Sequence, residues 1–359
     1  MSKPLPTEPL VAGLRRALRE AGSPWAEAPI EPLTDKGLAH HHLRIVGSGW
    51  LARLPKQSQM GLGAADNLAY EAACYARAAP GGHTPRVHAL LPVGAALPRG
   101  GLLVDEVQGR PARLPGDLPA ITRALASMHA LPLPVPGARA PLLDAADPLA
   151  ALRDEIEAQA VHLDVAALAP ATRRAIDDAR RRLARRCARP ARPERRLIAF
   201  DGHPGNFLVR GDGEAVLVDL EKARYGYPPL DLAHATLYTS TTWDLQTHAV
   251  LAVADVRAAY EAWQQACPGG AAQRAWFVPL REAMWLWSMT WCAKWRVLSP
   301  RAARDPLADA GAGGEDWSSE HSSGALVAHV RERVDHYLGR EAVDFVRDEL
   351  EVLERLLRD

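Results

Sequence analysis

The chain has 359 residues, 48% hydrophobic and 24% charged, so its composition is that of a packed globular protein rather than a disordered one. Its length favours two domains or one bilobal unit, since a single domain usually takes ~150 residues. Lys plus Arg and Asp plus Glu both number 43, so no net charge draws the chain to nucleic acid or to an anionic membrane. If the chain binds a phosphate-bearing ligand, local geometry rather than the overall field must hold it.

Neither the cysteines nor the N-terminus carries a targeting or cross-linking pattern. The four cysteines, Cys74, Cys187, Cys267 and Cys292, form no CxxC pair, so no metal knuckle or disulfide framework is predicted. Residues 1–22 lack the continuous apolar stretch of a signal peptide and are typical of an amphipathic helix. No run of ~18 uncharged apolar residues is present for a membrane span. We therefore expect a cytoplasmic protein without a membrane partner, either a monomer or a homodimer.

The first hundred residues alternate between strand-like and helix-like segments. Residues 38–46 and 49–54 are typical of two strands joined by a glycine-rich turn. The Ala-rich segment 64–79 contains no Gly or Pro and predicts a helix. Short apolar runs at 86–91 and 101–107 predict further strands. Four or more strands around one helix indicate a small α+β lobe.

The rest of the chain is mainly helical in pattern. Residues 118–131 have helical spacing, 148–188 indicate two more helices, and a strand-rich island at 196–219 interrupts the series. We therefore predict an α+β, bilobal protein. Its small β-rich N-terminal lobe spans 1–107, and its larger, mainly helical C-terminal lobe spans 108–359.

The strand-rich island carries the most informative motif. Asp201 and Asn206 stand five apart around a Gly/Pro turn, and the apolar strand 215–218 ends at Asp219. We predict a hairpin that presents these three side chains at one end. Phosphoryl transfer needs such a set, because one carboxylate orients the acceptor hydroxyl while an amide and a second carboxylate hold Mg²⁺ against the nucleotide phosphates. The alternative is a surface turn, since Asp, Gly, Pro and Asn all favour turns.

Residues 201–206 (DGHPGN) and 218–221 (VDLE) resemble motifs of the aminoglycoside phosphotransferase and choline kinase family, which has a protein-kinase-like fold. Residues 225–233 (YGYPPLDLA) are similar to a further stretch of that family. The resemblance implies an enzyme that transfers the γ-phosphate of ATP to a hydroxyl of a small molecule, with Mg²⁺ as cofactor. The N-terminal lobe would then bind the nucleotide, and the C-terminal lobe would hold the catalytic and substrate-binding residues.

The same resemblance implies a role for individual residues of the second lobe. Asp201 would be the catalytic base, and Asn206 and Asp219 would be the Mg²⁺ ligands. Asp231 would be a structural acid that braces the catalytic loop. The family's His-Gly before the catalytic Asp is replaced here by Ala199-Phe200. This departure keeps open a second hypothesis, a weakly active or inactive nucleotide-binding pseudokinase with a regulatory role.

Residues 37–45 (GLAHHHLRI) resemble the family's turn that covers the phosphates. Arg53 falls where the family places its phosphate-facing base, with Lys56 as the competing candidate. Glu71 on the following helix would pair with Arg53, as a lysine–glutamate pair does in protein kinases.

Residues 101–110 resemble the segment that connects the two lobes in this family. Backbone groups near Glu106 and Val107 would then meet the adenine.

Tryptophans in the C-terminal lobe are candidates for the substrate site. Trp287, Trp291 and Trp295 recur at every fourth position of a predicted helix, a spacing that usually reflects core packing. In the choline kinase branch, however, aromatic rings and acids enclose a quaternary ammonium, because each ring attracts a cation by ~0.5–2 kcal/mol. The candidate substrate-binding residues are Glu221, Trp243, Glu282, Trp287 and Trp291. An aminoglycoside-like polycation needs an acidic pocket, so the tryptophans favour a small amine, an amino alcohol or a choline-like acceptor.

Residues 172–196 carry eleven arginines, which is one pattern of a nucleic-acid patch. The chain is neutral and the arginines are not interleaved with aromatic residues, so we interpret this segment as a solvated helix face and expect no nucleic-acid partner.

Overall fold

The computed structural model describes residues 7–34, 39–302 and 324–357. Gly37 and Leu38 of the segment compared with the phosphate-covering turn lie outside the described residues. The chain divides into two compact units. The first comes from Met1–Arg77, Pro85–Val107 and Leu298–Arg331, and the second from Ala78–Thr84, Gln108–Val297 and Glu332–Asp359.

The first unit is built on a five-stranded antiparallel sheet with the strand order β1-β2-β3-β5-β4. Its strands are β1 (Ile30–Pro32), β2 (His40–Ile45), β3 (Trp50–Pro55), β4 (Val87–Leu91) and β5 (Gly101–Asp105). Its helices α1 and α2 span Thr7–Glu20 and Ala64–Ala78. The predicted strands and helices of this region are confirmed.

Alternation of side chains along β2 and β3 gives the sheet two different faces. One face joins a buried apolar core that includes Leu43 and Ile45 of β2 together with Leu14 and Leu18 of α1. The other face carries the polar residues His40, His42 and Arg53, and the register places His42 directly opposite Arg53. The sheet thus has one apolar face that packs into the core and one polar face on which His40 and Arg53 are buried.

The second unit contains the remaining strands, which are short. They are β6 (Arg110–Pro111), β7 (Arg196–Ile198), β8 (Phe207–Val209), β9 (Ala215–Leu217) and β10 (Arg224–Gly226). The remaining α-helices are α3 (Leu118–His129), α4 (Pro148–Ala160), α5 (Pro170–Cys187), α6 (Pro229–Thr236), α7 (Tyr238–Thr241), α8 (Val253–Ala266), α9 (Phe277–Ala302), α10 (Gly324–Tyr337) and α11 (Arg340–Leu356). They belong to the second unit except for the end of α9 from Leu298 and the part of α10 up to Arg331. The fold is therefore α+β, with a small antiparallel-sheet unit and a larger helical one, as predicted.

The pairing of the short strands refines the predicted hairpin. β8 and β9 pair antiparallel, with Phe207 opposite Leu217, and this hairpin leads to Asp219 as expected. β7, however, pairs with β10 rather than with β8. The reason lies at Phe200, whose φ of 62° ends the extended chain after β7 and turns it away from β8. The turn with Asp201 therefore connects two separate sheets.

A buried ion pair fixes the end of α6. Arg281 of α9 is fully buried and donates to the carboxylate of Glu349 on α11 at 2.7 Å. It also donates to the hydroxyl of Thr236, at the C-terminal end of α6, at 2.7 Å. Breaking such a pair is costly, because one charge is left buried without its partner. Helix α6 is therefore tied to two long helices.

The arginines of α5 and the segment after it are largely paired with acids. Arg180 donates to Asp177 at 3.0 Å, and Arg182 donates to Glu282 of α9 at 2.6 Å. Arg192 donates to Asp147 at 2.6 Å. These pairs neutralise much of the positive charge of the arginine-rich segment. Among the described residues, no helix is both long and apolar enough to cross a membrane.

Candidate active site

The backbone of the loop that carries Asp201 is held by an acid from another element. Asp231, on α6, is fully buried, and its carboxylate accepts hydrogen bonds from the backbone N–H groups of Ala199 at 2.7 Å and Phe200 at 2.8 Å. Charge-assisted hydrogen bonds of this kind are stronger than neutral ones. The bonds reach the backbone, so they do not depend on the side chain at position 199.

Two further residues fix the orientation of Asp231. His129 on α3 donates through Nε2 to Oδ2 of Asp231 at 3.0 Å. Trp263 on α8 donates through its indole N–H to Nδ1 of His129 at 2.9 Å. An indole N–H can only donate, so Nδ1 must accept and the proton of the neutral imidazole sits on Nε2. Three helices thus converge on the loop before Asp201.

Phe200 adopts a backbone conformation that favours glycine. Its φ of 62° costs on the order of 1 kcal/mol for a residue with a Cβ. Its ring is buried, with the Arg224 guanidinium carbon 3.7 Å from the ring centroid and the Trp287 ring edge-on at 5.4 Å. These contacts offset the strain. Phenylalanine is thus accommodated where the family has glycine.

Asp201 is surrounded by nitrogen atoms. Nζ of Lys222 lies 2.8 Å from its Oδ2, and Nδ1 of His234 lies 3.6 Å from its Oδ1. Burial by itself raises the pKa of Asp201, but Lys222, His203 and His234 lower it by more, so the net pKa is well below the usual range. Asp201 is therefore ionised at neutral pH.

His234 is a buried neutral histidine. Its Nδ1 donates to the backbone carbonyl of Phe200 at 3.1 Å. Burial lowers the pKa of His234 to about 4, and the charge of Asp201 opposes this effect only in part. The imidazole thus supports the loop as a hydrogen-bond donor.

Stability of the fold should fall as the pH drops through the range in which His234 titrates. The unfolded state takes up a proton near pH 6.5 and the folded state only near 4, so acid favours unfolding in between. At pH 5 the loss amounts to about 2 kcal/mol relative to pH 7. In urea titrations at both pH values, His234→Gln should remove most of this loss, and His248→Gln, an exposed control, should not. Equal pH dependence in all three proteins would exclude His234 as its source.

The two predicted Mg²⁺ ligands flank one hairpin, since Asn206 precedes β8 and Asp219 follows β9. Asn206 donates through Nδ2 to the backbone carbonyl of Asp201 at 2.9 Å, so Oδ1 is the atom that it offers to a cation. Val218 donates its backbone N–H to the carbonyl of Asn206 at 2.9 Å, so the backbone that leads to Asp219 runs next to that of Asn206. Amide and carboxylate oxygens are the donors that Mg²⁺ prefers. The residues present therefore fit this ion.

Arg53 and Glu71 both contact one histidine, His40, through its two different ring nitrogens. Both residues are buried, Arg53 on β3 and Glu71 on α2. Lys56, the competing candidate, follows the end of β3 and donates its backbone N–H to the carbonyl of Ala39 at 2.7 Å.

The backbone N–H of the first residue after β5, Glu106, is already hydrogen-bonded within the first unit. The backbone N–H of Glu106 donates to the carbonyl of Gly49 at 2.8 Å, and its side chain accepts from Arg44 at 2.6 Å. Glu106 is thus tied to the sheet by both its amide and its carboxylate. Val107 follows it and is half-buried.

The candidate substrate residues fall into separate surroundings. Trp287 contacts Phe200, lies 5.9 Å from Nζ of Lys222, and donates its indole N–H to Glu155 at 2.7 Å. Trp291, one turn further along α9, packs edge-on against Trp243 with ring centroids 5.8 Å apart. The Trp287 ring is therefore the one in direct contact with the neighbours of Asp201.

The two candidate acids differ in position. Glu282 accepts a hydrogen bond from Arg182, so its side chain faces α5. Trp287, in contrast, contacts Phe200 and lies near Lys222. Glu221 is buried, with 4% of its surface exposed. The ion pair of Glu282 thus belongs to the contact between α5 and α9.

Sequence reasoning missed two neighbours of Asp201 and one partner of Trp287. Lys222 follows the predicted metal ligand Asp219 by three positions, and His234 follows Asp231 by one helical turn. Both spacings were visible in the sequence. Glu155, which accepts from Trp287 and also from Arg224 at 3.1 Å, comes from α4 and carries no local motif.

The fold is that of the kinase-like phosphotransferases. Residues 42–276 match the sequence profile of the phosphotransferase enzyme family (APH), and the chain belongs to this family. A comparison with curated proteins gives no match.

Solved structures with a similar fold include both choline kinases and aminoglycoside phosphotransferases. A choline/ethanolamine kinase family protein from Mesorhizobium loti is 18% identical, with a TM-score of 0.57, over 96% of this chain and 99% of that one. Choline kinase LicA from Streptococcus pneumoniae is 13% identical, with a TM-score of 0.55, over 90% and 98%. The GDP complex of aminoglycoside 2'-phosphotransferase-IIIa is 17% identical, with a TM-score of 0.52, over 86% and 92%.

Proposed function

We propose that this protein is an ATP- and Mg²⁺-dependent kinase that phosphorylates a hydroxyl group of a small molecule. The observation that carries the proposal is the surroundings of Asp201. This ionised carboxylate lies on a braced loop and contacts Lys222 at 2.8 Å, and the amide of Asn206 donates to the backbone carbonyl of Asp201. Membership of the phosphotransferase enzyme family supports the same reaction class.

In the proposed reaction, Asp201 accepts a hydrogen bond from the acceptor hydroxyl and directs its oxygen at the γ-phosphorus. A carboxylate with a low pKa is a weak base. Phosphoryl transfer passes through a loose transition state in which the proton leaves late, so orientation by Asp201 matters more than its basicity. The proton moves to Asp201 as the new P–O bond forms and the bond to the leaving nucleotide breaks.

Bound Mg²⁺ would neutralise charge on the nucleotide phosphates, and Oδ1 of Asn206 and the carboxylate of Asp219 would hold it. In the first unit, Arg53 would bind phosphate oxygens through two parallel N–H groups. Glu71 would balance its charge. The amide of Glu106 is already bonded to Gly49, so the adenine would be read by the carbonyl of Glu106 and the backbone of Val107.

The acceptor that these residues favour is a small amine or amino alcohol, including choline-like compounds. Trp243, Trp287 and Trp291 supply aromatic faces for a cation, and Glu221 supplies a negative charge. Glu282 is engaged by Arg182, so its contribution would require that ion pair to open.

The alternative of a regulatory pseudokinase rests on Ala199-Phe200. Asp231 holds the backbone of this dipeptide, and Arg224 and Trp287 hold the Phe200 ring. The loop is therefore ordered without the family's histidine, which favours an active enzyme.

The test is a phosphotransfer assay with purified protein, ATP and Mg²⁺. Choline, ethanolamine and other amino alcohols, together with aminoglycosides, are offered in parallel while release of ADP is followed. We expect acceptor-dependent turnover that chelation of the metal abolishes, strongest with the small amines. Nucleotide binding without turnover on any hydroxylated acceptor would support the pseudokinase instead.

Replacing Trp287 should weaken acceptor binding more than chemistry. Loss of one cation–π contact of about 1.4 kcal/mol corresponds to roughly a tenfold higher KM for a cationic acceptor. We expect this for Trp287→Leu, with kcat within about threefold, and near-normal KM for Trp287→Phe, which keeps a ring. Trp276→Leu is the matched control, because that half-buried tryptophan lies under Arg186 of α5. An equal rise in KM for a neutral acceptor would indicate lost packing rather than cation recognition.

A further inference from the structure

We infer that His40 is a positioning residue that holds the phosphate-binding Arg53 in place and couples it to Glu71. This inference deepens the proposed function, since it concerns how the first unit prepares the nucleotide site. The imidazole of His40 contacts the guanidinium of Arg53 on one side and the carboxylate of Glu71 on the other, and we call these three side chains the relay.

The relay consists of three buried side chains. Nη2 of Arg53 lies 3.4 Å from Nδ1 of His40, and Nε2 of His40 lies 2.9 Å from Oε2 of Glu71. The exposed fractions are 3% for Arg53, 3% for His40 and 1% for Glu71. The imidazole therefore spans the space between a buried cation and a buried anion.

The chemistry of the partners fixes the state of the imidazole. A guanidinium can only donate hydrogen bonds, so Nδ1 of His40 must accept. Nε2 then carries the proton of the neutral ring and donates it to the carboxylate of Glu71. Burial by itself raises the pKa of Glu71, but His40, Arg53 and Asn67 lower it by more, so this acid is ionised. Each group of the relay thus has one defined role.

A second histidine and a helix residue hold the two ends. Nη1 of Arg53 lies 3.3 Å from Nε2 of His42, which stands opposite it on β2. Asn67, one turn before Glu71 on α2, donates to Oε1 of Glu71 at 2.7 Å. The contacts of the guanidinium with His40 and His42 are long, so each of these two is weak alone. Together they fix the plane of Arg53, and a fixed plane is what parallel bonds to phosphate oxygens require.

Removal of the imidazole should release Arg53 toward Glu71. In His40→Leu, the guanidinium loses the group that separates it from the carboxylate, and attraction between the buried charges draws it inward. The nucleotide must then compete with Glu71 for Arg53. We expect the Kd of a fluorescent ATP analogue to rise about tenfold or more, while kcat at saturating ATP changes less than threefold.

Two variants serve as a rescue and a control. His40→Gln keeps an acceptor and a donor at one side-chain end and should bind the analogue within about threefold of the wild type. Arg19→Leu alters an exposed residue of α1 that pairs only at the surface with Glu27, and it should leave binding unchanged. If His40→Leu does not fold, His40→Asn replaces it, because its shorter amide cannot reach both partners and should weaken binding where Gln does not.

The outcomes separate this inference from the proposed function. If the wild type binds the analogue and transfers phosphate but His40→Leu or His40→Asn binds equally well, the role of His40 is wrong and the proposed function stands. If the wild type binds no nucleotide, the proposed function fails and the role of His40 fails with it. Weakened binding rescued by Gln, with Arg53→Ala and His40→Leu non-additive in a double-mutant cycle, supports the relay.

Discussion

Asp201→Asn is expected to reduce kcat about 10³-fold or more, while the Kd for ATP stays within about threefold of the wild type. A positioned acid or base typically contributes about 10²–10⁴-fold to the rate. Asparagine keeps the size of the side chain, but it has no charge with which to orient the hydroxyl and it cannot take up the proton. The nucleotide is proposed to contact Asn206 and Asp219 rather than Asp201, so its affinity should survive. Steady-state kinetics and equilibrium binding of ATP measure the two quantities separately.

Asp212→Asn is a matched control for this substitution. Asp212 is exposed, lies in the turn between β8 and β9, and accepts a hydrogen bond from the backbone N–H of Glu214 at 3.0 Å. Its substitution should leave kcat unchanged. Turnover that persists in Asp201→Asn would refute the role of Asp201. A wild type as inactive as the variant would instead favour the regulatory pseudokinase.

The turn and hairpin from Asp201 to Asp219 were predictable because their parts are close together in the chain. Asp201 and Asn206 share one turn, and the hairpin between Asn206 and Asp219 is short, so local turn and strand patterns suffice. The helices and strands of the first unit were predictable for the same reason. The pairing of β7 was not, because it depends on the φ of Phe200, a residue type that rarely adopts such a conformation.

The supports of the site were not predictable, because they join distant parts of the chain. His129 and Asp231 are 102 positions apart, and Trp263 and His129 are 134 apart. Only tertiary packing of α3, α6 and α8 brings them into contact. A single sequence shows which residues can form hydrogen bonds, but not which helix faces meet.

The separation of Glu282 from Trp287 illustrates a constraint that the sequence did contain. Residues five apart on a helix differ by about 140° around its axis, since each residue turns ~100°. The two side chains therefore leave the helix in clearly different directions, and Glu282 is directed to Arg182 on α5. Trp287 and Trp291, four apart, lie on a common face, and the structure places each against another aromatic ring.

A substitution of the second acid, Asp231→Asn, should lower the stability of the fold. The buried carboxylate of Asp231 accepts hydrogen bonds from two backbone N–H groups and from His129. Asparagine has one carbonyl oxygen, and its NH₂ group would face donors, so at least one buried donor loses its acceptor. An unsatisfied buried donor costs about 1–3 kcal/mol, and loss of the charge weakens the remaining bonds. We expect the free energy of unfolding in urea to fall by about 3–5 kcal/mol.

Asp201→Asn should therefore lower mainly kcat and Asp231→Asn mainly the free energy of unfolding, although Asp201 and Asp231 serve the same loop. Asp231→Asn should also lower kcat, even well below its melting temperature, because the backbone that aims Asp201 is no longer held. The loss of stability distinguishes Asp231→Asn from Asp201→Asn. The carboxylate of Asp201 is half-buried and contacts the side chain of Lys222, so its replacement should cost less stability. If Asp231→Asn unfolds at the same urea concentration as the wild type, the acid does not brace the loop, and the tolerance of Ala199-Phe200 would need another cause.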